Sequence, residues 1–151
     1  MKRVIMLILC ISLVFALPVT SFAAPEAIGI FDSHGEEDIL TVTNPAKKYS
    51  TTYSKNYSIS GFALPGSNVY VYIYDSVSAV YRPYMENHTA VTANVGASGI
   101  FVIPVSLSNG KNTFLIRCEK DGVFQNTIFD INVLSISMFS IRDSLKNITI
   151  N

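Results

Sequence analysis

Short stretches in which apolar and polar residues alternate recur about every ten to fifteen residues along this chain. A period of two residues places apolar side chains on one face of a β-strand and polar side chains on the other. The clearest example is the run Phe101, Ile103, Val105 and Leu107. No stretch before residue 135 has the spacing of an amphipathic helix. The pattern predicts an all-β domain of about seven strands that bury their apolar faces between two sheets.

Turn-forming residue pairs separate these predicted strands. Pro65-Gly66 and Asp121-Gly122 each end in a glycine that accepts a positive φ. Asn109-Gly110 is a strong signal for a tight β-hairpin between the strands before and after it. Pro104 has no backbone N–H, so we expect its strand to lie at the edge of a sheet or to carry a bulge.

Three motifs occur in the order that is typical of one known domain family. The segment 59–71 reads Ile-Ser-Gly-Phe-Ala-Leu-Pro-Gly-Ser-Asn-Val-Tyr-Val, and it is followed by Gly99-Ile100-Phe101 and by Leu-Ser-Asn-Gly-Lys-Asn at 107–112. In these motifs the chain resembles bacterial immunoglobulin-like domains, which show an I-x-G-x-A-x-P-G-x-x-V pattern and later G-x-F and L-x-x-G-x-N elements. The resemblance implies an immunoglobulin-like Greek-key β-sandwich over residues 39–134 and an exported or surface protein. Members of the family often occur as repeats, whereas this chain carries the motifs in a single copy. It implies no particular activity.

The first 23 residues have the pattern of an export signal. Lys2 and Arg3 precede an apolar run from Val4 to Leu17, and Ser21-Phe22-Ala23 supplies small residues at the positions that a signal peptidase recognises. The run is shorter than the about 20 residues of a membrane-spanning helix, so we expect cleavage and no stable membrane anchor afterwards. Cleavage would leave Cys118 as a single cysteine, which suits a secreted bacterial domain without disulfides.

The segments on either side of the predicted sandwich have different patterns. Residues 24–38 carry turn residues and acidic side chains without a sustained period, so we expect a flexible lead-in. In residues 135–151, helical spacing separates Met138, Ile141, Leu145 and Ile148, which indicates a short amphipathic helix. The β-branched run Ile148-Thr149-Ile150 favours a strand instead. Packing on the sandwich and docking on a partner are both open for this segment.

No arrangement of residues predicts catalysis, a metal centre or a cofactor. Neither His34 nor His88 has metal-ligand spacing to a second ligand. Cys118 alternates with Phe114 and Ile116 on an apolar face, which favours a buried, inert thiol over a nucleophile. Lys plus Arg and Asp plus Glu each number 11, so the charge gives no argument for a nucleic-acid partner. We therefore expect a protein that is not an enzyme.

Aromatic residues provide the candidate ligand-binding site. Flat rings with polar tips suit stacking on sugars or contact with a protein. The alternative is structural, because tyrosine has a high β-propensity and cross-strand tyrosine neighbours stabilise a half-exposed sheet. The candidate residues alternate along one predicted strand and continue into the loop after it: Tyr70, Tyr72, Tyr74, Tyr81, Arg82 and Tyr84.

These features together predict a secreted, non-enzymatic immunoglobulin-like module for binding or adhesion at the bacterial cell surface. Its expected partner is a cell-wall polysaccharide or a surface protein. One alternative is a structural subunit, in which residues 24–38 or the C-terminal segment add to the exposed sheet edge of a neighbour. Another is a small exported accessory factor or inhibitor that offers a loop to an enzyme.

Overall fold

The structure is a computed structural model, which describes residues 27–30 and 38–135. These residues form twelve β-strands, and the long ones coincide with the stretches of alternating sequence. The strands are β1 (Ile28–Gly29), β2 (Leu40–Asn44), β3 (Tyr49–Thr52), β4 (Asn56–Ala63), β5 (Asn68–Asp75), β6 (Val80–Pro83), β7 (Met85–Glu86), β8 (Thr89–Ala90), β9 (Thr92–Asn94), β10 (Ile100–Ser106), β11 (Gly110–Lys120) and β12 (Val123–Val133).

Most of these strands belong to two sheets. The larger sheet has the order β1-β6-β5-β11-β12-β3, and β9 also pairs with β5. The smaller sheet has the order β10-β4-β2, while β7 and β8 form a separate hairpin. Neighbouring strands are antiparallel except β3, which runs parallel to β12 with Tyr49 opposite Asp130.

The core lies between the two sheets, and sequence alternation decides which side chains enter it. Along β10 the burial pattern alternates strictly, so that Phe101, Ile103 and Val105 are buried and their neighbours are exposed. Cys118 on β11 is buried, as predicted. The main core cluster contains Leu40, Ile59, Ala63, Val69, Val71, Tyr84, Val95, Phe101, Ile103, Val105, Leu107, Phe114, Ile116, Cys118, Phe129, Ile131 and Val133.

The connectivity confirms the predicted all-β, immunoglobulin-like Greek-key sandwich. The smaller sheet contains β2, β4 and β10, which correspond to strands A, B and E of that fold. The larger sheet contains β5, β11 and β12, which correspond to strands C, F and G, with β6 as C′. The strands in excess of the predicted seven are short elements such as β1, β7, β8 and β9.

Two residues of the sequence motifs, Gly61 and Asn112, have structural roles. A Cβ on Gly61 would overlap the carbonyl oxygen of Thr41, so glycine is what lets β2 lie so close to β4 at this point. The buried side chain of Asn112 accepts a hydrogen bond from the N–H of Ser108 at 2.9 Å. Its amide donates to three carbonyl oxygens, including that of Ile131 on β12. Both residues therefore stabilise the fold.

One local prediction is wrong. Asn109-Gly110 closes no hairpin, because β10 and β11 belong to different sheets and the turn carries the chain from one sheet to the other. Within the segment predicted as a lead-in, the described residues include β1, where Ile28 is buried and lies opposite Tyr81. The prediction for Pro104 is confirmed, since β10 is an edge strand of the smaller sheet.

The remaining terminal predictions fall outside the described residues. They are the export signal at 1–23, the other parts of the lead-in, including His34, and the helix or strand predicted after Ser135.

Candidate binding site

Four of the candidate tyrosines lie on the outer face of the larger sheet. Tyr70, Tyr72 and Tyr74 alternate along β5 with residues that face the core, and Tyr81 on β6 lies opposite Tyr74. The rings of Tyr74 and Tyr81 are 5.3 Å apart between centroids. Tyr72 is 1% exposed and Tyr81 is 4% exposed. These two rings pack with Leu115 in a second apolar cluster, so they offer almost no surface to a ligand.

Burial also changes the acidity of these tyrosines. Loss of solvent raises the pKa of Tyr72 to about 12, and the guanidinium of Arg117 opposes this shift in part. Burial likewise raises the pKa of Tyr81, with a smaller contribution from the negative charge of Asp130. Both shifts arise because burial removes the phenol groups from solvent and disfavours the charged phenolate.

Tyr84 lies on the opposite side of the sheet, in the core between the two sheets. Its ring makes an edge contact with Phe114 at a centroid distance of 5.9 Å. Its hydroxyl accepts a hydrogen bond from the N–H of Ser106 at 2.8 Å and donates one to the carbonyl oxygen of Ser106 at 3.2 Å. Tyr84 thus connects the core to the edge strand β10 and is 9% exposed.

Arg82 is exposed, but its side chain stabilises a turn. Its Nε donates to Asp75 Oδ2 at 2.9 Å, and the hydroxyl of Ser78 donates to the same oxygen at 2.6 Å. The N–H of Val77 donates to the other carboxylate oxygen. The bond from Ser78, then those from Val77 and Arg82, lower the pKa of Asp75 to about 2. The network holds the turn between β5 and β6.

The structure therefore does not bring the six candidate residues together on one exposed surface. Tyr72 and Tyr81 are buried on the outer face, and Tyr84 is buried on the inner face. Tyr81 belongs to β6, so its predicted position in a loop is wrong. Tyr70 and Tyr74 are half-buried against the same outer cluster. This arrangement matches the structural alternative that the sequence left open.

The most exposed tyrosines of the described residues lie elsewhere. Tyr49 on β3 is 68% exposed, and Tyr53 just after β3 is 66% exposed. The sequence did contain a signal for this position, because the run 49–53, Tyr-Ser-Thr-Thr-Tyr, is rich in residues of high β-propensity. Its few apolar residues make no alternating pattern, so alternation alone does not predict a strand here.

A shallow groove with a volume of about 420 Å³ lies beside Tyr49, where β3, β12 and β11 adjoin. Its wall and floor are formed by Tyr49, Ser50, Thr51, Lys111, Asp130 and Asn132. The register explains this grouping, since Tyr49 lies opposite Asp130, and Thr51 lies opposite Asn132. Lys111 is in turn opposite Asn132 on β11. We call these six residues the β3 groove.

The polar groups of the β3 groove differ in whether they have hydrogen-bonding or ionic partners. Lys111 Nζ lies 3.1 Å from Asp130 Oδ2. Thr113 Oγ1 donates to Asp130 Oδ1 at 2.6 Å, so both oxygens of this carboxylate have partners. Within the described part of the chain, the side chain of Asn132 makes no hydrogen bond, which leaves its amide available to a ligand. The groove thus combines one exposed ring with oriented donors and acceptors.

Two other surface features do not form a comparable site. A cleft of about 460 Å³ lies between the β2–β3 connection and β12, and its lining includes Pro45, Lys47, Lys48 and Ile128. On the outer face of the smaller sheet, Phe62 lies opposite Ile100, and both are exposed. Neither combines an exposed aromatic ring with a free side-chain amide.

Residues 27–30 and 38–135 were compared with the requirements of a metal cluster and of a membrane-spanning helix. No group of three or more His, Cys, Asp and Glu side chains in these ranges could hold a metal ion. The same residues contain no helix with the length and apolar character that crossing a membrane requires.

No protein family, no curated protein and no solved structure matches the chain. The function of the protein is therefore inferred from the geometry of its surface. A fold of this kind supports many unrelated functions, so the site carries more weight than the architecture.

Proposed function

We propose that the protein is a secreted, non-enzymatic immunoglobulin-like module that binds polysaccharide at the bacterial cell surface through the β3 groove. The observation that carries the proposal is the ring of Tyr49, which is 68% exposed beside a groove lined by polar side chains. The export signal and the family motifs in the sequence support the location and the class of protein.

An exposed tyrosine ring suits a sugar better than a buried one does. The apolar face of a pyranose stacks on an aromatic ring, while its hydroxyl groups need hydrogen-bonding partners at the rim. Tyr49 is held on a strand, so its backbone is positioned before a ligand arrives. The ring therefore supplies a stacking platform at little cost in conformational entropy.

The neighbouring side chains supply the polar contacts. Asp130 is fixed by Lys111 and Thr113, so its carboxylate oxygens and the ammonium group of Lys111 have defined directions. Asn132 adds an amide that can both donate and accept. A shallow, open groove of this kind fits one or two residues of a long polymer.

The test is co-sedimentation of the secreted protein with purified bacterial cell walls and with insoluble polysaccharides. We expect saturable binding that Tyr49→Ala weakens at least about tenfold, equivalent to about 1.4 kcal/mol. Asn132→Ala should weaken it by a smaller factor. Tyr53→Ala is the matched control, because Tyr53 is as exposed as Tyr49 and lies outside the groove.

Two results would contradict the proposal. One is the absence of binding to every wall and polysaccharide fraction by folded wild-type protein. The other is equal loss of binding in the Tyr49 and Tyr53 variants, which would indicate non-specific adsorption through exposed rings.

A further inference from the structure

The edge strands of this protein differ in how well they are protected from pairing with another chain. An edge strand presents unpaired N–H and C=O groups, and proteins protect such edges with proline, bulges, short strands or covering side chains. The strands at the ends of the two sheets in the described residues are β1, β3, β2 and β10, and β9, three residues long, is paired only with β5.

Three of these edges carry a protective feature. In β10, Pro104 removes a backbone donor, and the hydroxyl of Tyr84 engages both backbone groups of Ser106. In β2, the register shifts between Val42 and Asn44. The edge at β1 is two residues long. Each feature interrupts the regular ladder that an added strand requires.

The edge of β3 has four residues and carries no proline and no register shift. Its bonds to β12 involve even-numbered residues, since Asp130 N–H donates to Lys48 O and Leu134 N–H donates to Thr52 O. In a parallel ladder the alternate residues, Tyr49 and Thr51, direct their N–H and C=O groups to the other side. Residues 49–52 include no proline and no charged side chain, and their pairing with β12 has no register shift. Four backbone groups therefore face outward in regular array.

The charge around this edge limits what can pair with it. Between Asn44 and Asn56 the chain carries three lysines, Lys47, Lys48 and Lys55, and no acidic residue. Lys47 and Lys48 are exposed immediately before β3. Two such edges from two copies would bring lysines together, so the charge disfavours pairing of β3 with itself. An extended strand with acidic side chains is the complementary partner.

From these observations we propose that the free edge of β3 accepts an extended, acidic strand of a partner protein by β-augmentation. The strand hydrogen-bonds to the backbone groups of Tyr49 and Thr51, and its acidic side chains lie near Lys47 and Lys48. This site goes beyond the proposed polysaccharide binding, because it uses the backbone edge of β3, whereas the groove uses side chains on the outer face.

The test uses the chain after export and two capped seven-residue peptides. One alternates threonine and glutamate, and the control peptide alternates threonine and lysine. Binding is measured by amide hydrogen exchange and by chemical-shift changes in nuclear magnetic resonance spectra. We expect the acidic peptide to saturate the protein and to slow exchange at the amides of Tyr49 and Thr51, with binding at least about tenfold tighter than that of the basic peptide.

Two variants separate backbone pairing from side-chain contact. Thr51→Pro removes one outward N–H at an edge position, where proline is tolerated, and should weaken peptide binding at least about tenfold. Thr51→Val keeps the N–H and removes the hydroxyl, so it should bind like the wild type. Circular dichroism checks the fold; if Thr51→Pro is unfolded, Tyr49→Pro at the first residue of β3 takes its place, because it removes the other outward N–H.

The outcomes also separate this proposal from polysaccharide binding. Peptide binding that survives Thr51→Pro, or that leaves the Tyr49 and Thr51 amides unprotected, would overturn the proposal. Concentration-dependent protection of the same amides without peptide would overturn it in favour of a second copy as the occupant. Loss of polysaccharide binding in Tyr49→Ala with peptide binding retained would support both proposals, whereas peptide binding by a protein that binds no polysaccharide would support the edge site alone.

Discussion

The hydroxyl of Tyr84 engages both backbone groups of Ser106, accepting from its N–H at 2.8 Å and donating to its carbonyl oxygen at 3.2 Å. An aromatic side chain from the residue between β6 and β7 thus takes the place that a neighbouring strand would have beside β10. The same ring packs on Phe114 in the core. One residue therefore joins the two sheets and closes part of an exposed edge.

Tyr84→Phe should lower the free energy of unfolding by about 1–3 kcal/mol, because the ring is kept while two backbone groups of Ser106 lose their partner. Urea denaturation of the two proteins measures this difference. Tyr53→Phe is the control, since Tyr53 is exposed and should show no change. Equal stability of Tyr84→Phe and wild type would mean that water replaces the hydroxyl without loss.

Gly61→Ala should be destabilising by about 1–3 kcal/mol or more, because its Cβ would overlap the carbonyl oxygen of Thr41 and force β2 away from β4. Gly96→Ala is a matched control, since a Cβ there meets no atom within 4 Å. The comparison of the two thermal unfolding midpoints is the measurement. A similar shift in both variants would point to a general effect of the lost glycine.

Asn112→Ala should lower the free energy of unfolding by about 1–3 kcal/mol, because the carbonyl oxygens and the Ser108 N–H that it satisfies are left without partners. Asn132→Ala, on the neighbouring strand and without such bonds among the described residues, should change stability little. Chemical denaturation of both variants checks the prediction, and a neutral Asn112→Ala would contradict the structural role assigned to this motif residue.

Alkaline pH should destabilise the fold through Tyr72. Its pKa rises from the ordinary 10.0 to about 12 in the folded state, so below pH 10 its full contribution to stability is present. Above pH 10 the unfolded chain loses the proton first, and the contribution disappears as the pH rises towards 12. We expect Tyr72→Phe to move the alkaline unfolding midpoint to higher pH, measured by circular dichroism, whereas Tyr53→Phe should leave it unchanged.

The sandwich could be predicted because apolar residues alternate along several strands, most regularly along β10. The alternation of Phe101, Ile103 and Val105 predicts which face of β10 is buried. Asp121-Gly122 predicts the turn between β11 and β12. The motif residues Gly61 and Asn112 likewise form close backbone contacts in this chain. Local chemistry and global packing agree at these positions.

The tyrosines show where local patterns stop being informative. Alternation separates the two faces of β5, but it does not say whether the outer face is covered, and Ile28, Leu115 and Tyr81 together bury Tyr72. The Asn109-Gly110 turn fits a hairpin locally, yet the next strand pairs in the other sheet. The sequence does not predict the β3 groove, because Tyr49, Lys111 and Asp130 come from three strands that only long-range pairing brings together.

The parallel alignment of β3 and β12 has a mechanical consequence. Tension that enters at Tyr49 and leaves at Val133 acts along both strands in opposite directions, so it shears the ladder between them and loads all of its hydrogen bonds at once. A hairpin pulled from its open end would instead break its bonds one after another. A chain that transmits force through β3 and β12 would therefore resist pulling because of its topology, whichever ligands are bound at its two ends.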